Sequence, residues 1–487
     1  MLDEREIELK LEIGPHAVKH VPKLPLLKGM KAESNQQCST YFDTRRRALR
    51  KANLSLRVRR SGDRFVQTEK LAGASAGLFT RSEWEWEVAG PEPVRALLDD
   101  TPANEVLGSS RLVPIFEALV SRTTWRVEWE GSEIEMVLDQ GKIAAGTQDA
   151  AIHEIELELK RGDASALFDF GRKLATDVPV RIAVLSKADR GFAVADQVLG
   201  KATKAAPIVV SCAMEVREAF AVIAHACLKH FRLNEDALVR ERNPDGLHQA
   251  RVAMRRLRAA LSLFRPAILD REYDKIREQL RSFTGELGEA RNLDVLIEAR
   301  QTEWSIEERN EVEAARERAY DRVISILRTQ GFRDLMLDLV CWIETGAWRR
   351  SKKARRPLPP FAAKRLDRLW ARTIAMADDV STLGDEEWHR LRIEIKKLRY
   401  TSEFFVELYP DRVRKMKPLG KTLQALQEDL GYLNDLVTAP EILGGRVAPG
   451  WPHLSAKTEL DDRKGQLLRA SNKQLQRLVK SEPFWRD

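Results

Sequence analysis

The 487-residue chain is 43% hydrophobic and 32% charged, with a formal net charge of +8. Such a chain is too long for one ordinary core, and at roughly 100–200 residues per domain it is expected to form two to four domains. With no apolar run of about 18 residues, neither a signal peptide nor a membrane helix is expected, which points to a cytoplasmic protein without a membrane partner. Cys38, Cys212, Cys227 and Cys341 are scattered without CxxC spacing, so a disulfide framework and a thiolate metal site are both excluded as expectations. The first 200 residues are close to charge-balanced, and the positive excess sits in the remainder. That asymmetry predicts two domains, 1–200 and 201–487, with the basic one meeting a polyanion.

In chain order, the first part alternates in short β-rich segments: EIELKLEI, STYFDT, LSLRVRR, RFVQTEKL, RSEWEWEV, TTWRVEWE, SEIEMVLDQGKI and IHEIELELK. Helices are expected around PVRALLDD and SALFDFGRKLA, and the sequence EGSE suits a hairpin. Successive side chains of a strand point to opposite faces, so Glu6, Glu8 and Lys10 share one space. By the same alternation Arg57 joins Arg59, Thr68 joins Lys70, and Arg81 joins Glu83, Glu85 and Glu87. Near the end, Glu154, Glu156 and Glu158 join Lys160. A solvated strand face would explain any one of these runs. Both signs at high density on strand after strand suit a closed barrel with a charged lumen. Clustered carboxylates call for a hard divalent cation, and facing Arg and Lys call for a multivalent anion such as a phosphate chain. Hydrolysis of a polyphosphate would satisfy both sets. Trp84, Trp86, Trp125 and Trp129 are expected to pack on the exterior, and Arg46, Arg47 and Arg60 to be surface charge.

The ExExK run Glu6-Glu8-Lys10, TYFDT, LRVRR, QTEK, RTTW, EIEMVLDQG, EIELELK and SKADRG follow one another over nearly all of the first 195 residues. In that order they resemble the CYTH superfamily of triphosphate tunnel metalloenzymes. The resemblance implies an eight-stranded antiparallel tunnel in which Glu6, Glu8, Glu156 and Glu158 hold Mg²⁺ or Mn²⁺. It implies that Lys10, Arg57, Arg59, Lys70, Arg122, Lys187 and Arg190 grip the triphosphate. Glu6, Glu8, Lys10 and Glu154 form the expected catalytic set, with Glu154, Glu156 and Glu158 all open as proton acceptors. Inorganic triphosphate ranks first as substrate. An organic triphosphate, acted on by a triphosphatase or an adenylyl cyclase, is the alternative, as is a non-catalytic polyphosphate binder.

After LGKATKAAPIVV the pattern changes to long helical periods. LHQARVAMRRLRAAL aligns without gaps on WHRLRIEIKKLRYTS, and LGEARNLD resembles LGYLND, so one helical unit occurs twice, at about 210–345 and 360–487. The basic segment RRSKKARRPLPP between the copies is broken by proline and cannot be continuous helix. On a helix His248, Arg251, Arg255 and Arg258 fall within an arc of about 80°. His389, Arg392, Lys396 and Arg399 repeat that arrangement. The histidine-arginine pattern and its repeat resemble a CHAD domain. This resemblance implies an all-α pair of four-helix bundles that binds inorganic polyphosphate through these residues, with nucleic acid the less favoured partner because a basic stripe attracts any phosphate backbone. The fold class expected overall is α+β in two domains.

Overall fold

The computed structural model describes residues 6–71, 78–300, 305–377, 383–444 and 457–486, and the backbone alone at 6, 78–81, 299–300, 385, 413, 434–444 and 457–463. Ten strands form one antiparallel sheet: β1 (Glu6–Ile13), β2 (Ala32–Thr44), β3 (Leu54–Ser61), β4 (Arg64–Leu71), β5 (Leu78–Arg81), β6 (Glu83–Val88), β7 (Leu112–Trp129), β8 (Ser132–Ala145), β9 (Gln148–Arg161) and β10 (Val180–Ile182). Their hydrogen-bonded order is β10-β1-β9-β8-β7-β2-β3-β4-β6, with β5 paired to β1 off that path.

The expected closed tunnel of eight strands is therefore corrected on two points. The sheet has ten strands, because β10 adds a three-residue strand to β1 and the expected RSEWEWEV strand is split at Ser82 into β5 and β6. Among the described residues the path also does not close through a ladder between its end strands. Instead the chain passes directly from β5, on β1, to β6, on β4, and the Leu71 N–H donates to the Ser82 carbonyl at 3.1 Å.

The long hairpin β7–β8 turns on Glu130 (φ 49°) and Gly131 (φ 76°). Two successive positive-φ residues match the right-handed twist of paired strands, which is why EGSE forms a tight turn. Four helices accompany the sheet: α1 (Ala48–Lys51), α2 (Pro102–Leu107), α3 (Ser165–Asp177) and α4 (Lys187–Ala195). The apolar alternation of β1 and β9 is buried against α3, where Gly171 faces Leu9 and Leu157. Trp129 packs edge-on to Phe170 of α3, and Trp86 packs against the cluster of Leu49, Leu98 and Leu107. These tryptophans thus serve the exterior, as expected.

Nine further α-helices are described: α5 (Val216–Glu241), α6 (Pro244–Ile268), α7 (Tyr273–Arg300), α8 (Ile306–Arg328), α9 (Gln330–Thr345), α10 (Leu358–Ala377), α11 (Asp385–Phe405), α12 (Val413–Gly444) and α13 (Lys457–Val479). The chain divides into two compact units. One comprises Met1–Thr203, Arg232–Glu241 and Ser325–Gly346, and the other Lys204–Phe231, Arg242–Ile324 and Ala347–Asp487. Within the second, α6 contacts α7 and α11, and α10 contacts α11 and α13. RRSKKARRPLPP is interrupted as expected: a 3₁₀ turn over Ala347–Arg350 gives way to turns before α10 starts at Leu358. All four cysteines are unpaired. Among the described residues no helix is long and apolar enough to cross a membrane.

Helix α4 lies flush on the sheet because Gly191 has no side chain. A Cβ there would come within 2.0 Å of the Phe116 ring, which is itself stacked on Tyr41 at 4.5 Å and edge-on to Phe192 at 5.3 Å. The ring cannot yield, so Gly191→Ala is expected to destabilise the first unit by about 1–3 kcal/mol, the usual cost of overpacking. A chemical-denaturation midpoint equal to that of the wild type would contradict this packing.

Candidate active site

Register places the charged face. Strand β9 lies between β1 and β8, pairing Glu8 with Glu158, Lys10 with Glu156, and Asp139 with Glu154. The polar alternation of three neighbouring strands therefore converges on one cavity of about 840 Å³. Glu8, Lys10, Arg57, Arg59, Lys70, Arg122, Glu156, Glu158 and Lys187 all line it, together with Glu83, Glu85, Lys160 and Ser186. Seven cationic side chains face five carboxylates there, so the lining favours an anion.

Glu156 is the hub. Its carboxylate accepts from the Lys10 ammonium, from Lys187 at 2.9 Å and from Arg122 at 2.7 Å. Lys10 also lies 2.8 Å from Glu8. Burial alone would raise the Glu156 carboxyl, but Lys10, Lys187 and Arg122 outweigh it and hold the group well below the usual carboxylate range. Burial likewise works to lower Lys10 and Lys187. Glu156 and Glu8 reverse that for Lys10, which sits above its ordinary value, and Asp139, Glu154 and Glu156 hold Lys187 well above. Glu156, Lys10 and Lys187 are thus charged at neutral pH.

Across the cavity, Lys70 contacts Glu83 at 2.6 Å and Arg57 approaches the same carboxylate at 3.8 Å. Burial pushes both Glu83 and Glu85 upward. Lys70 and Arg57 bring Glu83 below its ordinary range, whereas Glu85, next to the charged Glu83, stays above it. Helix α4 adds its amino terminus. Ser186 caps it in a reciprocal capping box with Asp189, and Ser186, Lys187 and Ala188 reach the cavity. A helix start of this kind favours a bound anion.

Two expected residues stand elsewhere. Glu154 is only 2% exposed and is held by Lys187, behind the cavity wall. Arg190, one turn beyond Lys187, donates to Glu12 at 2.7 Å and lines a second cavity. The Glu6 side chain lies outside the described residues. Asp139 was not given a role in the sequence reading, yet it is fully buried and anchors both Arg122, at 2.6 Å, and Lys187, at 2.6 Å. Its shared parity with Glu133 and Glu135 was the available signal.

The donor set fits a hard divalent cation at one place and not at another. Asp139, Glu154 and Glu156 lie close enough to ligate one ion, but the Lys187 ammonium contacts all three carboxylates. That triad is a lysine socket. Glu8 and Glu158, by contrast, stand directly opposite each other on neighbouring strands, at the cavity, with only oxygen donors. Like charges in that position repel unless a cation lies near; Lys10 serves Glu8 and Lys160, at 2.5 Å, serves Glu158.

In the helical unit, His248, Arg251, Arg255 and Arg258 are all half-buried on α6. Burial, followed by Arg291, Arg255 and Arg251, lowers His248 to about 4. Arg255 donates to the Tyr400 hydroxyl of α11 at 3.0 Å, so the two repeated helices meet. Arg392, Lys396 and Arg399 are half-buried on α11 and His389 is exposed. Arg399 is already engaged with Glu403 at 2.9 Å. Arg256, beside the stripe, is buried over the Phe404 ring. His225 and His230 are buried helix residues.

Comparison with known proteins gives two family matches: a CYTH domain at residues 4–192 and a CHAD domain at residues 222–444. A curated relative, the inorganic triphosphatase of Haemophilus influenzae, is 37% identical over 191 residues, which are 39% of this chain and 54% of that protein. The chain thus spans about half the length of this relative. Among solved structures, the CHAD domain of the plant Ricinus communis is similar at 27% identity and a TM-score of 0.47, over 58% of this chain and 97% of that one. A Hippeastrum protein, described as an adenylyl cyclase with a dominant triphosphatase activity, is similar at 22% identity and a TM-score of 0.31. It covers 40% of this chain and 96% of its own.

The Glu156 hub makes a pH-dependent contribution. Because its folded pKa is depressed, the contribution is fully present above the ordinary carboxylate pKa of about 4.3 and is lost as pH falls through the folded value. Glu156→Gln leaves Lys10, Lys187 and Arg122 without their shared partner, so a loss of about 3–5 kcal/mol at neutral pH is expected, shrinking as the medium is acidified. Denaturant midpoints of both proteins between pH 7 and pH 3 test this. A difference independent of pH would show that the charge is not what matters.

Proposed function

We propose, for a chain that joins a CYTH domain to a CHAD domain, the metal-dependent hydrolysis of inorganic triphosphate to pyrophosphate and phosphate, beside a helical unit that binds inorganic polyphosphate. The observation that carries the first half is the convergence of Lys10, Arg57, Arg59, Lys70, Arg122 and Lys187 on one cavity that also presents the facing pair Glu8 and Glu158. The inorganic triphosphatase of Haemophilus influenzae, 37% identical over this region, supports the substrate.

Of the expected ligands Glu6, Glu8 and Glu158 would hold Mg²⁺ or Mn²⁺, Glu156 being taken by Lys10, Lys187 and Arg122, and when bound the ion supplies charge neutralisation of phosphate oxygens and a polarised water. The rest belongs to this chain's side chains. Lys10, Arg122 and Lys187 would bind phosphate oxygens from one side and Arg57, Arg59 and Lys70 from the other, so the chain of phosphates lies stretched between them. Their charges are fixed before substrate arrives, which is the condition for stabilising the charge that gathers on the leaving oxygens. Glu154 and Asp139 would act as positioning residues for Lys187 and Arg122. Arg190 is left out of the phosphate grip, because it lines the second cavity and not this one.

The test is phosphate release from inorganic triphosphate, ATP and long-chain polyphosphate with Mg²⁺ or Mn²⁺. Release from inorganic triphosphate is expected to dominate. Arg57→Ala is expected to lower kcat by about 10²–10³, the effect of removing one donor to developing charge, and Glu8→Gln/Glu158→Gln to abolish metal-dependent turnover. Cyclic AMP formed from ATP would replace the hydrolase reading with a cyclase. No release from any substrate, with polyphosphate still bound, would establish a binding protein.

For the helical unit, the low pKa of His248 gives a signed prediction. A polyanion laid on Arg251, Arg255 and Arg291 offsets the charges that, after burial, disfavour the imidazolium. Binding is therefore coupled to proton uptake, and affinity for polyphosphate should rise as pH falls from about 6.5 toward about 4. Calorimetry in buffers of different ionisation enthalpy measures the proton count, and His248→Asn should lower it toward zero.

A further inference from the structure

The segment RRSKKARRPLPP takes no part in either site, although it is the most basic run in the chain's second half. It is not a loose linker. Trp348 and Ala354, 2% and 0% exposed, anchor it, and the Val216 N–H donates to the Arg356 carbonyl at 2.9 Å, the Arg217 N–H to the Ala354 carbonyl at 2.8 Å, and the Leu358 N–H to the Met214 carbonyl at 3.0 Å. Pro357 completes the attachment through a bridge to Glu215. The Ser351 hydroxyl also ties the turn to the end of α6, donating to the Ala267 carbonyl at 3.4 Å.

The held turn, the last residues of α6 and Arg365 of α10 line an open cavity of about 690 Å³, in which Arg265, Lys352 and Lys353 are exposed. Its charged lining consists of Arg265, Lys352, Lys353 and Arg365, with no carboxylate among the lining residues. In the active-site cavity clustered cations are interleaved with acids; here they are not. Arg365 is half-buried, and burial acts on its guanidinium in the same direction as the neighbouring Arg368 and Arg372, against the charge. Its Nε is buried without a hydrogen-bond partner, while a terminal nitrogen donates to the Ser262 carbonyl at 3.5 Å. A desolvated cation without a counter-charge is costly unless an anion completes it.

We propose that this cavity is a binding subsite for an inorganic oligophosphate of three or more phosphates, built at the joint between the two helical copies. Four cations exceed what one phosphate, at about −1.5 to −2, can neutralise, whereas a linear chain delivers one charge or more per phosphate along its length. The guanidinium forks of Arg265 and Arg365 and the point charges of Lys352 and Lys353 suit such a chain. Arg265 lies two helical turns beyond Arg258, roughly 10 Å along the same face of α6. A chain seated on the His248 stripe is thereby led into the joint. The subsite rests on the polyphosphate reading of the helical unit.

The full-length protein is tested by lysine acylation footprinting with long-chain polyphosphate, tripolyphosphate and, at equal ionic strength, sulfate. Lys352 and Lys353 should be acylated several-fold more slowly with either phosphate chain and at the unprotected rate with sulfate. Protection of Lys396 without Lys352 and Lys353 would overturn the joint subsite while leaving the stripe in place. Protection at neither place would overturn the polyphosphate reading together with it, and equal protection by sulfate would reduce the cavity to an unselective anion site. In parallel, Lys352→Ala/Lys353→Ala/Arg365→Gln, checked for helicity by circular dichroism, should reduce the slope of log affinity against log salt by about 2, from three contacts at roughly 0.7 each. An unchanged slope would overturn the proposal independently of the footprint.

Discussion

The first unit is organised around a carboxylate shared by three cations. Glu156 could not remain charged in its buried position without Lys10, Lys187 and Arg122, and those cations in turn depend on Glu8, Asp139 and Glu154. Such a lattice adds little net stability compared with well-packed apolar side chains, because desolvation offsets most of the attraction. It fixes ammonium and guanidinium groups at set positions around a cavity before any ligand enters. An arriving anion then competes with carboxylates for cations that are already in place, and little reorganisation is left for the moment of binding.

The two units handle charge in different ways. In the β unit both signs alternate along each strand, and the carboxylates both neutralise and position the cations. In the helical unit the stripe on α6 is crowded by cations: Arg258 is lowered by burial and by Arg281 and Arg277, and His248 by burial and three arginines. A mixed lattice selects a compact ligand of defined geometry. A one-signed surface accepts a long, repetitive one, since any phosphate along the chain can occupy any position.

Parity was the most legible property of the sequence. Reading alternate residues put Glu8, Lys10, Arg57, Arg59, Lys70, Glu156 and Glu158 on one face, and the structure gathers them in one cavity. Parity does not report depth along that face, and the failures follow from this. Glu154 and Glu12 share the face of Glu156 and Glu8 but lie beyond the cavity, one under Lys187 and the other beside Arg190. Arg190 shares a helix face with Lys187 but lies one turn farther along α4, where Glu12 takes it. The break at Ser82 was hidden because RSEWEWEV alternates without interruption, while its two parts pair with different strands. In the helical unit the repeat and its stripe were legible, but the burial of Arg256 depended on Phe404, more than a hundred residues away.

The placement of β9 between β1 and β8 has a consequence for how this protein can change over generations. Its chemistry is written as a reading frame of two: Glu154, Glu156 and Glu158 face inward, Ile155 and Leu157 outward. A substitution alters one letter of that text. Loss or gain of a single residue within the strand would transpose every letter after it, presenting aliphatic side chains to the cavity and carboxylates to the oily layer beneath α3. Drift in this part of the chain is therefore open to exchange of residues and closed to changes of length, whereas the turns at either end can absorb both.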